Sequence, residues 1–359
     1  MLVVGSNVLS SNHIIICNIL YGMVNCRWKV SFEPYPNKYY LKHTALSHLD
    51  GDGLYFMGVY IDIASFFVSQ IVTCLGMYFL FFGGEMNISF IGAGHVGTAF
   101  AKYISKDVDV LYFNSKTKTS AEKACAYIGC EVASLETLVK DSEIIFITTG
   151  DNAISSVAKE LSSLNVSDKT FVHMSGAMTT DELILLKNQG AHTCSMHPLQ
   201  TFSDTEKAVK DLKNAYFALE GDYDKLESLV KQLGNPYFTL SKEQKNKYHL
   251  SACIFSNYLV TLMNYGSRML SSIGIDEDDG LQAMKPLIDA TLSNVFMKGT
   301  EKSLTGPIQR SDTKTLEKHM SELKGLDLEA YQLLGKMTTE TLIMDENKKS
   351  ILDALWRRK

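Results

Sequence analysis

Two histidines, His197 and His249, and one glycine-rich segment, Gly92-Ala93-Gly94-His95-Val96-Gly97, are the parts of this 359-residue chain whose residue types and spacing best fit chemistry. An imidazole titrates near neutral pH, so it can both give and take a proton. His197 precedes a proline in Ser195-Met196-His197-Pro198. His249 falls on a helix that Ser241 and Gln244 open as a capping box and that runs to about Ser272. At 3.6 residues per turn, His249, Ala252, Cys253, Ser256 and Asn257 share a face, and the face so grouped holds no lysine. Leu250, Ile254, Tyr258 and Leu262 share another, so the helix is expected to be buried. Polar residues aligned on a buried helix need partners, from a substrate or from a core network.

The glycine segment follows the strand-forming run Asn87–Ile91 and opens the helical stretch TAFAKYISK. That context turns a weak motif into a dinucleotide site. Gly92 permits the tight turn, Gly94 lets backbone approach a pyrophosphate, and Gly97 lets helix pack on strand. His95 and Val96 complete the loop at the helix start, where free N–H groups favour phosphate. A second strand, Val108–Phe113, ends in Asn114-Ser115-Lys116. An NAD site usually carries a carboxylate there for the ribose 2′-hydroxyl. Here a hydroxyl and an ammonium replace it, so NADP is expected, with NAD as the alternative.

These residues need elements to hold them. Helices are expected over 121–128, 134–140 and 153–161, and strands over 143–148 and 170–174. Alternating β and α elements imply a mostly parallel sheet, with ligands beyond the carboxyl ends of its strands. Thr148, Thr149, Gly150, Ser175 and Gly176 therefore face the same crevice as Gly92–Gly97. Beyond residue 241 only helical patterns remain, over 277–298, 312–324, 327–344 and 348–357, with Gly274 ending the first long helix. The expected architecture is an α/β Rossmann domain, residues 86–240, followed by an all-α domain, residues 241–359.

A net charge of -5 argues against a nucleic-acid partner. Seven cysteines without a CxxC pair, and histidines without ligand spacing, support neither a disulfide framework nor a metal site. No GxSxG elbow supports a hydrolase. Residues 1–85 differ in character and include an uncharged run over 63–84. Its length suits a single-pass membrane anchor. Another reading starts from Gly83-Gly84-Glu85-Met86, whose codons can spell a purine-rich ribosome-binding site before a start codon. Met86 is then the initiator, residues 1–85 are translated upstream DNA, and the protein is cytoplasmic. A genuine soluble extension is the third reading.

The segments HPLQTF (197–202), YHLSA with FSNYL (248–259) and LTGPIQRSD (304–312) follow the glycine loop in this order. Together they resemble a bacterial family of Rossmann-like proteins that carries the domain of unknown function numbered 2520. The resemblance covers 86–345. It implies an NADP-binding domain, a helical dimerisation domain and hence a homodimer. It also implies kinship with 6-phosphogluconate, β-hydroxyacid and prephenate dehydrogenases and with pyrroline-carboxylate reductase. The His197-Pro198 pair is similar to the prephenate dehydrogenase segment whose histidine contacts the reacting hydroxyl. In β-hydroxyacid dehydrogenases the helix comparable to that of His249 presents a Lys and an Asn. Ser311 stands where the family pattern has Gly, and Gly150 where Pro is common.

The resulting expectation is an NADP-dependent oxidoreductase that moves hydride between nicotinamide and a small hydroxy/keto or imino acid. His197, His249, Asn257 and Ser175 are its candidate catalytic residues. Arg310, whose planar fork suits a carboxylate, and Ser256 are the candidate substrate contacts. A dinucleotide-binding sensor without turnover is the alternative.

Overall fold

The computed structural model describes residues 86–357, the Lys225 side chain excepted, together with the backbone of four earlier strands. The run over 63–84, expected as an anchor or as upstream sequence, lies outside the described residues. Among the described residues no helix is long and apolar enough to cross a membrane. The chain divides into two compact units, Met1–Gly84 and Glu85–Lys359. In the first, β1 (Gly5–Leu9), β2 (Ile14–Tyr21), β3 (Val24–Glu33) and β4 (Tyr40–Thr44) form an antiparallel sheet in sequence order.

The second unit begins with β5 (Asn87–Ile91), α1 (His95–Ile104), β6 (Asp109–Asn114), α2 (Lys118–Ile128), β7 (Glu131–Val132), α3 (Leu135–Asp141), β8 (Ile144–Ile147), α4 (Asp151–Leu161) and β9 (Thr170–His173). The short helix α5 (Ile184–Lys187), β10 (His192–Pro198), α6 (Thr205–Asp211), β11 (Phe217–Gly221), α7 (Asp224–Leu233) and β12 (Tyr237–Thr239) complete the α/β part. Their eight strands order as β12-β11-β10-β9-β8-β5-β6-β7. Every pair is parallel except β10 with β11.

Parallel strands covered by helices on both faces read as unbroken apolar runs, and Ile144–Ile147 is such a run, buried throughout. On one face Phe90 stacks between Phe113 and Phe146, at ring separations of 5.0 and 5.2 Å, and Phe100 of α1 meets Phe146 edge-on. On the other, Ile145, Ile147 and Phe171 pack with Ile154, Leu161 and Leu186. Each ring buries roughly 150–250 Å², so these aromatics dominate the cohesion of the sheet.

Four strands, β7, β10, β11 and β12, extend the sheet beyond those expected from the sequence. His197 lies within β10, opposite Ala218 of β11 and two residues beyond Ser195, which pairs with His173 of β9. The run His192–Pro198 mixes histidine, threonine, serine and proline, so its strand character comes from pairing on two sides rather than from local pattern.

The helical part holds α8 (Lys242–Cys253), a π-helical segment Ile254–Tyr258, α9 (Leu259–Ser272), α10 (Glu277–Lys298), α11 (Thr300–Ser303), α12 (Gly306–Arg310), α13 (Thr313–Ser321), α14 (Gly325–Leu342) and α15 (Glu346–Trp356). The capping box forms: Gln244 Oε1 accepts from the Ser241 N–H at 2.9 Å. Burial of the α8–α9 rod does not follow its apolar faces. Leu250, Ile254, Phe255, Tyr258 and Leu262 are exposed, because no element among the described residues covers them. Ser311 adopts φ +56°, the left-handed region where a glycine rests without strain.

A candidate active site at the carboxyl ends of the strands

Strand order reverses between β5 and β8, and a crevice at such a switch point is where open α/β sheets bind ligands. Gly92 follows β5 at φ +109°, and its N–H donates to Asn114 O at 2.8 Å. A Cβ on Gly92 would lie 2.7 Å from the Thr148 carbonyl carbon, and one on Gly97 would lie 2.6 Å from Gly92 O. Thr148 itself is buried, its hydroxyl donating to Gly92 O at 2.6 Å. Gly94 and Gly150, by contrast, face open space. The loop is thus tight underneath and open above.

Helix α1 begins after Gly94 with no side chain capping it, so its first N–H groups remain available. Val96 packs against the core below, and His95 Nδ1 lies 2.7 Å from Thr205 Oγ1 at the start of α6. Beside the loop, the buried Thr149 hydroxyl has no hydrogen-bond partner among the described residues. An open backbone cradle, uncapped N–H groups and an orphaned hydroxyl together fit the pyrophosphate of a dinucleotide. At the end of β6 the Asn114 carboxamide donates to Ala133 O at 2.8 Å and so ties the strand to its neighbour. Ser115 is partly exposed and Lys116 exposed.

Ser175 and Gly176 follow β9. The Ser175 hydroxyl accepts from the N–H groups of Ala177 and Met178, at 3.2 and 3.0 Å, and so closes a turn. Gly176 lies between the two histidines. A Cβ there would come within 2.6 Å of His249 Cδ2 and 2.9 Å of His197 Nε2. The two rings stand 6.2 Å apart and nearly perpendicular. His249 also touches Cys253, whose Sγ is 3.8 Å from Nε2.

Beneath this pair lies a polar row that the sequence reading missed. The register places His173 of β9, Ser195 of β10 and Glu220 of β11 side by side, all buried. Lys245 descends from α8 onto the row with only 1% of its surface exposed. Its ammonium donates to Ser195 Oγ and lies 3.9 Å from Glu220 Oε2. Glu220 also accepts from the Thr180 N–H at 3.0 Å and from the Thr180 hydroxyl at 2.8 Å. The α8 face of His249 therefore does carry a lysine. Lys245 precedes His249 by four residues, one helical turn; grouping the face only forward from His249 hid it.

Burial lowers the Lys245 pKa to about 8 against the pull of Glu220 and Asp151. Burial, then the charge of Lys245 and that of His249, holds His197 down at about 4. His173 falls to about 3 through burial and Lys245, although its bond to Thr179 O opposes this. His173 has both ring nitrogens engaged: it contacts Thr179 O at 3.1 Å and accepts from the Ser175 N–H at 3.3 Å.

Asn257 and Ser256 lie in the π-helical segment, exposed, with no hydrogen bond to either histidine. Arg310 is exposed at the end of α12, whose Ile308 packs toward the Leu316–Trp356 cluster. Nothing among the described residues brings Arg310 to the histidines. Among the described residues no His, Cys, Asp and Glu cluster could hold a metal ion.

Residues 87–175 match the family model of NADP oxidoreductases, coenzyme F420-dependent, and residues 215–338 match that of the domain of unknown function 2520. Protein TM1727 from Thermotoga maritima is 26% identical, with 75% of this chain and 100% of that one covered at a TM-score of 0.57. BF3122 from Bacteroides fragilis, a proposed NADP oxidoreductase, is 23% identical over 71% of this chain and 98% of its own, at 0.58. A reductive aminase from Aspergillus terreus, solved with NADPH and ethyl levulinate, is 15% identical over 75% and 99%, at 0.56. The last two likenesses show the fold alone. No curated protein matches the sequence.

Proposed function

We propose that this chain, which carries the domain of unknown function 2520 over residues 215–338 behind a segment matching NADP oxidoreductases, is an NADP-dependent oxidoreductase of a small hydroxy/keto or imino acid. The observation that carries this reading is the placement of His197 and His249 around Gly176, at the same end of the sheet as the open glycine loop. Bound NADPH supplies the hydride in such chemistry. Gly92, Gly94, Gly97 and the α1 N-terminus hold the pyrophosphate, with Thr149 beside it. Ser115 and Lys116 take the 2′-phosphate. His197, uncharged above its low pKa, donates a hydrogen bond that orients the reacting oxygen or nitrogen. His249, across Gly176, moves the proton. Ser175 holds the turn that presents Gly176.

The helical half leaves Phe255 81% and Phe296 87% exposed. Leu262, Met263, Leu270, Met284, Leu287 and Ile288 line an apolar groove of about 450 Å³ between α9 and α10. Apolar surface of this kind marks an interaction site. The reading includes a second copy of this chain as its cover, which light scattering tests as a dimeric mass in solution.

The deciding experiment titrates the full chain with NADPH and screens small hydroxy, keto and imino acids for turnover. His249→Ala should cut turnover by about two to four orders of magnitude and leave NADPH affinity unchanged. Tight NADPH binding without any turnover across a broad screen favours a sensor. An absence of NADPH binding defeats the reading.

A further inference from the structure

Tyr248 is left without a task by the reading above, although it belongs to the YHLSA segment. It lies between Lys245 and His249 in sequence, on the turn of α8 that faces β10. Its hydroxyl is 2.6 Å from His197 Nδ1, and the two rings meet edge-on with centroids 5.7 Å apart. Phe238 of β12 packs edge-on against the Tyr248 ring at the same centroid separation. The phenol is therefore held from two sides, and burial raises its pKa. Among the described residues its hydroxyl has no other partner.

We infer that Tyr248 is a positioning residue that fixes the tautomer of His197: its O–H donates to Nδ1, so the ring carries its proton on Nε2, which faces Gly176 and the substrate. One physical argument chooses this direction. If Nδ1–H donated to the phenol oxygen instead, the phenolic proton would be left unpaired in a half-buried place, whereas the phenol as donor leaves neither atom of the pair unsatisfied. A neutral imidazole has one donor and one acceptor nitrogen, so the bond accepted at Nδ1 places the hydrogen on Nε2. His197 Nε2 has no protein partner among the described residues, so its hydrogen is free for a ligand atom.

The charged groups around the ring keep it in this state. Lys245 lies below it, compensated by Glu220 of β11, and His249 lies across Gly176. A second positive charge on His197 would face the ammonium in a partly buried site. His197 thus presents a neutral N–H to the oxygen or nitrogen that gains electron density as hydride arrives. No proton leaves His197 in this role.

The inference rests on the proposed oxidoreductase reading for its purpose, but its test does not need turnover. The full chain, labelled with 15N in its histidines, is read by two-bond proton–nitrogen correlation, with His197→Asn identifying the signals of His197. The expected spectrum shows a protonated Nε2 and an unprotonated Nδ1 shifted upfield by an accepted hydrogen bond. In Tyr248→Phe that Nδ1 signal moves downfield toward a free pyridine-type nitrogen. A wild-type Nδ1 that carries the proton overturns the inference, whether or not the variant folds; so does an Nδ1 signal that Tyr248→Phe leaves in place. With a substrate in hand, Tyr248→Phe lowers kcat about tenfold, as the loss of one hydrogen bond worth about 1.4 kcal/mol would, with the KM for NADPH unchanged. Parental kcat in that variant also counts against it. NADPH titration of the wild-type chain reports on the oxidoreductase reading separately: a correct tautomer without NADPH binding sinks that reading and leaves the tautomer assignment standing.

Discussion

Lys245 Nζ and Glu220 Oε2 lie 3.9 Å apart, with each residue only 1% exposed. Two opposite charges so withdrawn from water hold each other in place, and removing one partner strands the other. Breaking a buried pair typically costs about 3–5 kcal/mol. Lys245→Met should therefore lower the melting temperature sharply. Lys245→Met combined with Glu220→Leu should recover part of the loss, since no charge is then stranded. Parental melting of the single variant would show that the pair contributes little.

The same burial gives the protein an acid-sensitive window. His197 and His173 have folded pKa values of about 4 and about 3, both below the unfolded value near 6.5. The unfolded chain binds more protons than the folded one between those values. Stability from these groups is thus complete above about pH 6.5, falls as the pH drops, and is lost by about pH 3–4. For His197 the loss is on the order of 3 kcal/mol. Melting temperatures from pH 7 to pH 4 should decline, and His173→Gln should flatten the slope. A variant with the parental slope would assign the decline to other groups.

Two glycines of the nucleotide loop separate folding from binding. Gly97 has no room for a Cβ, since Gly92 O lies 2.6 Å from its position. Gly94 has nothing within 4 Å. Gly97→Ala should destabilise the protein by about 1–3 kcal/mol, as overpacking does. Gly94→Ala should melt like the parent yet lose NADPH affinity, because its methyl occupies the space reserved for the pyrophosphate. Equal NADPH affinity for the parent and Gly94→Ala, by fluorescence titration, would place the phosphates elsewhere.

What was legible in the sequence was local. Gly92–Gly97, the Ser241–Gln244 cap and the span of α10 depend on residues within a turn or two of each other. The polar row was not legible. His173, Ser195 and Glu220 meet only because β9, β10 and β11 pair in a particular register, with β11 reversed. Three separate strands carry no local sign of that pairing. Lys245 was within reach, four residues before His249, but a face grouped only forward from His249 leaves it out. The exposed apolar side of the α8–α9 rod marks a different limit. The 3.6-residue pattern shows that surface must be covered, not which chain covers it.

The last prediction concerns the cofactor's adenosine end. Strand β6 stops at Asn114, whose side chain is committed to Ala133 O, so discrimination there falls to the next two residues. Lys116 is exposed and Ser115 partly so, and neither forms a hydrogen bond or ion pair within the described residues. A free ammonium and hydroxyl at this place suit a 2′-phosphate, while a carboxylate would repel it and accept from a 2′-hydroxyl instead. Lys116→Ala alone should weaken NADPH binding by about tenfold, near the value of one charge-assisted hydrogen bond, and leave NADH binding unchanged. Ser115→Asp with Lys116→Ala should reverse the preference toward NADH. The substitutions lie on an exposed turn, so the melting temperature should stay within a degree or two of the parent. Calorimetric affinities for the two cofactors decide the matter: a parent that binds NADH as tightly as NADPH, or a double variant that keeps the parental ratio, would remove Ser115 and Lys116 from cofactor selection.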